Sequence, residues 1–136
     1  MGDGDRIVGK HVLASLYGVP KDIAGDEGFL VEVVKRAVEA SGATLHSIHS
    51  WVIPGEKGGV SVIALVLESH VAIHTWLEYD YATVDVYTCG EHTDPWRAFE
   101  VIRRELRPEY YVVSYADRSQ VPVRGRIHGL PQRGES

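Results

Sequence analysis

Short blocks of apolar residues alternate with polar punctuation along most of the chain, and only two stretches switch to helical spacing. Val8 to Leu16 reads as a first strand, closed by the turn Tyr17-Gly18-Val19-Pro20. From Asp26 to Ser41 the apolar positions Phe29, Leu30, Val33, Val34, Ala37 and Val38 follow a 3.6-residue period, and Gly42 stands where a C-terminal cap glycine belongs. Thr44 to Ile53 reads as a strand, followed by the loop Pro54-Gly55-Glu56-Lys57-Gly58-Gly59. Val60 to Leu67 is almost wholly apolar and β-branched, as a buried strand is. Val71 to Trp76 and Thr83 to Tyr87 are further strands.

Thr93-Asp94-Pro95 opens a second helix, with a capping residue ahead of a proline at its first position. Its apolar face is Trp96, Phe99, Val101, Ile102 and Leu106; Pro108 ends it, and Glu109 to Tyr115 makes a last strand. The order β-α-β-β-β-β-α-β predicts an α+β fold, a two-layer α/β sandwich with two helices on one face of a mainly antiparallel sheet.

The 136 residues suit one domain. With 44% hydrophobic and 24% charged residues, the chain falls in the globular rather than the disordered class. A net charge of −5 argues against nucleic-acid binding as the main function, because neutralising phosphates takes a basic excess. No apolar run has the length to span a bilayer, and Met1-Gly2-Asp3-Gly4-Asp5 is too acidic for a secretory signal. The expected compartment is therefore the cytoplasm, with no membrane partner. The single cysteine, Cys89, excludes an internal disulfide. Arg118, Arg124, Arg126 and Arg133 dominate the end of the chain alongside Pro122, Pro131 and three glycines, so residues 119–136 are expected to form a flexible tail.

One segment does not fit a simple sheet interior. Leu67 to Cys89 carries Glu68, Ser69, His70, His74, Glu78, Asp80, Asp85 and Cys89, and buried polar groups are costly unless satisfied. A metal site is one reading, from His70 and His74, His46 and His49, or Cys89 near His92. In a strand, however, His70 and His74 stand about 13 Å apart, too far for one ion. Ser61 and Ser69 lack the flanking glycines of a hydrolase nucleophile elbow. A plain structural account also fits: a polar turn at Ser69-His70, a hydrogen-bonded His74, and Cys89 as a small core residue. Residue types alone leave these readings open.

As a string, the segment resembles the prokaryotic S-adenosylmethionine decarboxylase family and its archaeal arginine decarboxylase branch. The resemblance rests on Gly59-Val60-Ser61, Glu68-Ser69-His70, Ile73-His74-Thr75-Trp76, Glu78-Tyr79, Tyr81 to Val86 and Thr88-Cys89-Gly90. It continues in Asp94-Pro95-Trp96 and Ala98-Phe99, in Gly9-Lys10-His11 near the start, and in Tyr115 to Ser119 near the end. It implies a proenzyme that cleaves itself between Glu68 and Ser69 into a β fragment, 1–68, and an α fragment, 69–136, of a single domain. Ser69 would end as a covalent pyruvoyl group that forms a Schiff base with an amino-acid substrate. By the same resemblance His74 is the proton acceptor in processing, Ser61 assists the ester step, and Cys89 is the proton donor in catalysis. No metal is implied; a homo-oligomer is, with sites close to a subunit interface.

The chemistry suits these residue types. Serine supplies both a nucleophile and, once esterified, a leaving group on its own β-carbon, and histidine is the side chain best placed to move a proton near neutrality. The substrate divides two ways. A guanidinium needs a carboxylate from among Glu56, Glu78, Asp80 and Asp85, whereas an adenosyl sulfonium needs aromatic faces such as Trp76, Tyr79 and Tyr81. Trp76 and Glu78 are the expected substrate-binding residues. Leu77 and Val62 replace a proline and a glycine common in the S-adenosylmethionine enzymes, and the glycine-rich loop before Ser61 is long and charged. The wording Lys57 to Val66 is similar to the archaeal branch. Arginine is therefore the expected substrate and S-adenosylmethionine the alternative, both feeding polyamine synthesis; a non-catalytic, unprocessed homologue is the remaining expectation.

Overall fold

The computed structural model describes residues 6–121, and every strand pairing within them is antiparallel. The strands are β1 (Gly9–Tyr17), β2 (Leu45–Ile53), β3 (Gly59–Val66), β4 (Ser69–Trp76), β5 (Tyr81–Cys89) and β6 (Tyr110–Asp117), in the sheet order β2-β3-β4-β5-β1-β6. Two long helices, α2 (Glu27–Ser41) and α3 (Pro95–Leu106), lie side by side on one face. Helix α2 packs on β2, β3 and β4, and α3 on β5 and β1. The expected two-layer sandwich is the observed one. A single-turn helix α1 (Lys21–Ala24) and a 3-10 turn (Leu77–Tyr79) add to it. Both are too short to carry a periodic apolar signal, so the sequence pattern did not mark them.

Local chemistry sets the helix ends where the sequence placed them. Asp26 caps α2 by accepting from the Phe29 amide, and Asp94 caps α3 by accepting from the Trp96 amide. Gly42 closes α2 in the left-handed conformation, at φ 84°, which glycine reaches without a Cβ clash. Leu30, Val33, Val34 and Ala37 of α2 and Phe99, Ile102 and Leu106 of α3 meet Val12, Leu16, Val62, Val71, Ile73, Val84 and Val86 of the sheet.

No helix among the described residues covers the other face of the sheet. Strand alternation puts Ser61, Ile63, Leu65, His70, His74, Trp76, Thr83, Asp85, Tyr87, Leu13 and Tyr17 there.

Strands β4 and β5 begin and end beyond their apolar cores, so Ser69, His70 and Cys89 belong to the sheet. The turn lies two residues earlier than a Ser69-His70 turn would put it, at Leu67-Glu68. Residues 119 and 120 of the expected tail are tied to the start of the chain. Ser119 Oγ accepts from the Gly9 amide, and the Gln120 and Ile7 backbones are bonded, which carries the antiparallel pairing past β6. Residues 122–136 of that tail lie outside the described residues.

Candidate active site

Strands β3 and β4 are joined by only two residues, Leu67 and Glu68, with Val66 and Ser69 as the closing pair. Turns this tight need positive φ, which glycine or asparagine usually supplies. Here Glu68 takes it, at φ 68°, a strain of about 1–3 kcal/mol located at the residue before Ser69. The Ser69 hydroxyl donates to the Leu67 carbonyl at 3.1 Å. Cys89, at the end of β5, donates its thiol hydrogen to the Glu68 carbonyl oxygen at 3.7 Å. Glu68, Ser69 and Cys89 thus share one corner of the molecule, on a cavity of about 520 Å³.

That cavity is completed by Arg6, Ile7, Val8, Thr44 and His92 from the chain start and the two helix ends. Apart from His92, which the metal reading set beside Cys89, none of these is marked in the linear sequence, because they are scattered over loops that only the fold brings together.

A second centre lies farther along β3 and β4. Ser61 and His74 are directly paired across the two strands, and Ser61 Oγ lies 2.8 Å from His74 Nδ1. The Trp76 ring follows at 6.5 Å from the His74 ring. Glu78 sits exposed in the 3-10 turn, beside Glu56, Lys57 and Lys21 on a separate cavity of about 960 Å³. Five residues of extended strand separate His74 from Ser69, which is about 16 Å. Proton transfer needs about 3 Å. Within one copy of the chain, then, Ser61, His74, Trp76 and Glu78 do not reach Ser69.

Between the two centres lies a pairing the sequence reading missed. One carboxylate oxygen of Asp85 accepts from His11 Nε2 and the other from His70 Nε2, both at 2.7 Å. The Arg118 guanidinium lies 4.5 Å from the centre of the Tyr87 ring, which touches both imidazoles. The register contained the signal: His11 and His70 both pair with Tyr87, and Asp85 stands two residues away on the same face. These contacts explain His70 without a metal, and no group of three potential ligands stands together among the described residues.

Partial burial alone would raise the Asp85 carboxyl, but hydrogen bonds from His11 and then His70 outweigh it and hold the carboxyl below its ordinary value. A depressed carboxyl contributes stability above its unfolded value and loses it as the pH falls through the folded one. Asp85→Asn should therefore unfold at a lower temperature than the parent at neutral pH, and in thermal melts the gap should close as the pH falls below the ordinary carboxylate range.

Comparison with known proteins settles the family. A family model described as S-adenosylmethionine decarboxylase matches residues 10–119. The chain belongs to that family. It is 68% identical over 116 residues to the arginine decarboxylase proenzyme of Aeropyrum pernix, covering 85% of this chain and 88% of the relative. It is 56% identical over 119 residues to that of Hyperthermus butylicus, covering 88% and 84%. Among solved structures, the adenosylmethionine decarboxylase of Aquifex aeolicus VF5 superposes with a TM-score of 0.73 at 30% identity, over 94% of this chain and 99% of that one. The family's decarboxylase fold is therefore the fold of this chain.

Proposed function

We propose that this chain is the proenzyme of a pyruvoyl-dependent arginine decarboxylase that cuts itself between Glu68 and Ser69. The observation that carries the reading is the corner described above: a serine, after a strained residue, whose preceding carbonyl already receives a hydrogen bond from Cys89. Attack by Ser69 Oγ on the Glu68 carbonyl converts the peptide to an ester and relieves the turn. Negative charge builds on the oxygen that Cys89 touches, so the thiol assists there as a weak donor. Removal of the Ser69 α-proton then expels the ester as the Glu68 carboxylate. The pyruvoyl group that results supplies an electron sink for decarboxylation without a bound cofactor. The site fits such a group: its small residues and apolar walls, Ile7, Val8 and Leu67, leave a pocket with a proton donor at one side.

The base for that α-proton is His74, and the roughly 16 Å gap makes it the His74 of a second copy. The uncovered sheet face carries His74, Trp76 and a cleft lined by Leu13, Ile63, Ala72 and Val112. A two-fold axis running across the strands would lay the Ser69 end of one β4 over the Ser61–His74 end of the other. The expected homo-oligomer then has a structural reason: each site is built from two copies, with Trp76 and Glu78 entering from the copy that supplies His74.

The choice of arginine rests on the named activity of relatives at 56% and 68% identity, against 30% for the adenosylmethionine enzyme. Cys89→Ala should still cleave, about tenfold more slowly, and should then fail to form product. Intact mass reads the first effect and carbon dioxide with agmatine the second. Normal agmatine formation by Cys89→Ala would remove Cys89 from the proton-donor role.

A further inference from the structure

We propose that cleavage gives Cys89 its working partner: the α-carboxylate that Glu68 acquires at the new end of the β fragment accepts the Cys89 thiol hydrogen bond and holds the thiol in its neutral form. The inference rests on the reading of Glu68–Ser69 as the cleavage site. In the uncut chain Cys89 Sγ donates to the Glu68 carbonyl oxygen at 3.7 Å. That carbonyl is the one the reaction transforms. The acyl shift moves the Glu68 acyl group from the Ser69 nitrogen to Oγ. Elimination removes the Ser69 α-proton and breaks the Cβ–Oγ bond, leaving the Glu68 carboxylate. One water then replaces the Ser69 nitrogen, which departs as ammonia. A neutral amide oxygen has become an anionic one in contact with the thiol.

An S–H hydrogen bond to a carboxylate is stronger than one to an amide, and a thiolate beside that carboxylate would be repelled. Cysteines in electropositive surroundings ionise and become nucleophiles. A proton donor needs the opposite environment.

The surrounding groups permit it. Arg6 and His92 line the same cavity as the Glu68 side chain. The Arg6 guanidinium is engaged by the Gln120 carbonyl, and the Lys10 ammonium, from β1, by the Thr93 and Glu91 carbonyls. Tyr87, two residues along β5, is held above the ordinary phenol value chiefly by hydrogen bonding with the Cys89 side chain, so it stays neutral; as a donor to sulfur it favours the thiolate, an effect the new carboxylate outweighs. The new carboxylate is the added charge nearest the sulfur.

Cys89 is the only cysteine in the chain, so alkylation by iodoacetamide reads it alone. The comparison is between cleaved wild-type protein and two uncut references, Ser69→Ala and His74→Ala. At about pH 8 the cleaved protein should react about tenfold more slowly, and the difference should shrink in 1 M salt. The rates should converge at strongly alkaline pH, whereas a gap persisting there would mean steric blockage and overturn the proposal. Borohydride reduces the ketone and leaves the carboxylate, so the treated protein should stay slow; a return to the fast rate would assign the effect to the ketone instead. Complete cleavage with unchanged alkylation would sink this inference alone. A wild-type chain that stays intact by mass would sink both this and the cleavage reading.

Discussion

Co-producing Ser69→Ala and His74→Ala chains should restore cleavage in a mixture of two proenzymes that are each inert alone. In a mixed pair, one site combines the intact Ser69 of the His74→Ala chain with the intact His74 of the Ser69→Ala chain. The other site lacks both. With random pairing about half of the His74→Ala chains should be cut, and none of the Ser69→Ala chains. Intact mass distinguishes the two chains and their fragments. The prediction follows from the roughly 16 Å between Ser69 and His74 along β4, which no side-chain rotation closes. No cleavage in the mixture would confine the site to one copy and require another base near Ser69.

The second large effect belongs to Ser69 itself. Ser69→Ala should abolish cleavage and decarboxylation together while leaving the fold in place. The only hydrogen bond the Ser69 hydroxyl makes among the described residues is to the Leu67 carbonyl, at the surface of the turn. Losing it should change stability by less than about 1 kcal/mol, which a denaturant titration would check. Ser69→Cys separates nucleophile from architecture, because a thiol can perform the same acyl shift; it should cut slowly rather than not at all. Cleavage of Ser69→Ala at any rate would place the nucleophile elsewhere.

Much of the fold was legible because the chain uses plain signals. Period-2 and β-branched runs gave β1 to β6, the 3.6-residue period gave α2 and α3, and Asp26, Gly42 and Asp94 marked their ends. The strand ends were less legible. Ser69, His70 and Cys89 are polar or small residues held in the sheet by its pairing rather than by their own propensity, so pattern reading stopped short of them. The Leu67-Glu68 turn was hidden because it lacks the glycine or asparagine that usually announces it.

The candidate site was legible as a set of residue types and not as a place. Alternation along β4 puts His74 on one face but says nothing of the second copy that is proposed to bring a His74 to Ser69. The Asp85 bridge needed the register of three strands. Arg6 and Thr44 needed the whole fold, because loops from distant parts of the chain converge there.

The most direct test is carbon dioxide release from carboxyl-labelled arginine and S-adenosylmethionine, measured side by side on protein shown by mass to be fully cut after Glu68. Release from arginine is expected with a kcat/KM at least about a hundredfold above that for S-adenosylmethionine, a margin that a charge-matched side-chain pocket can supply. Preference for S-adenosylmethionine, or no release from either substrate by fully cut protein, would contradict it.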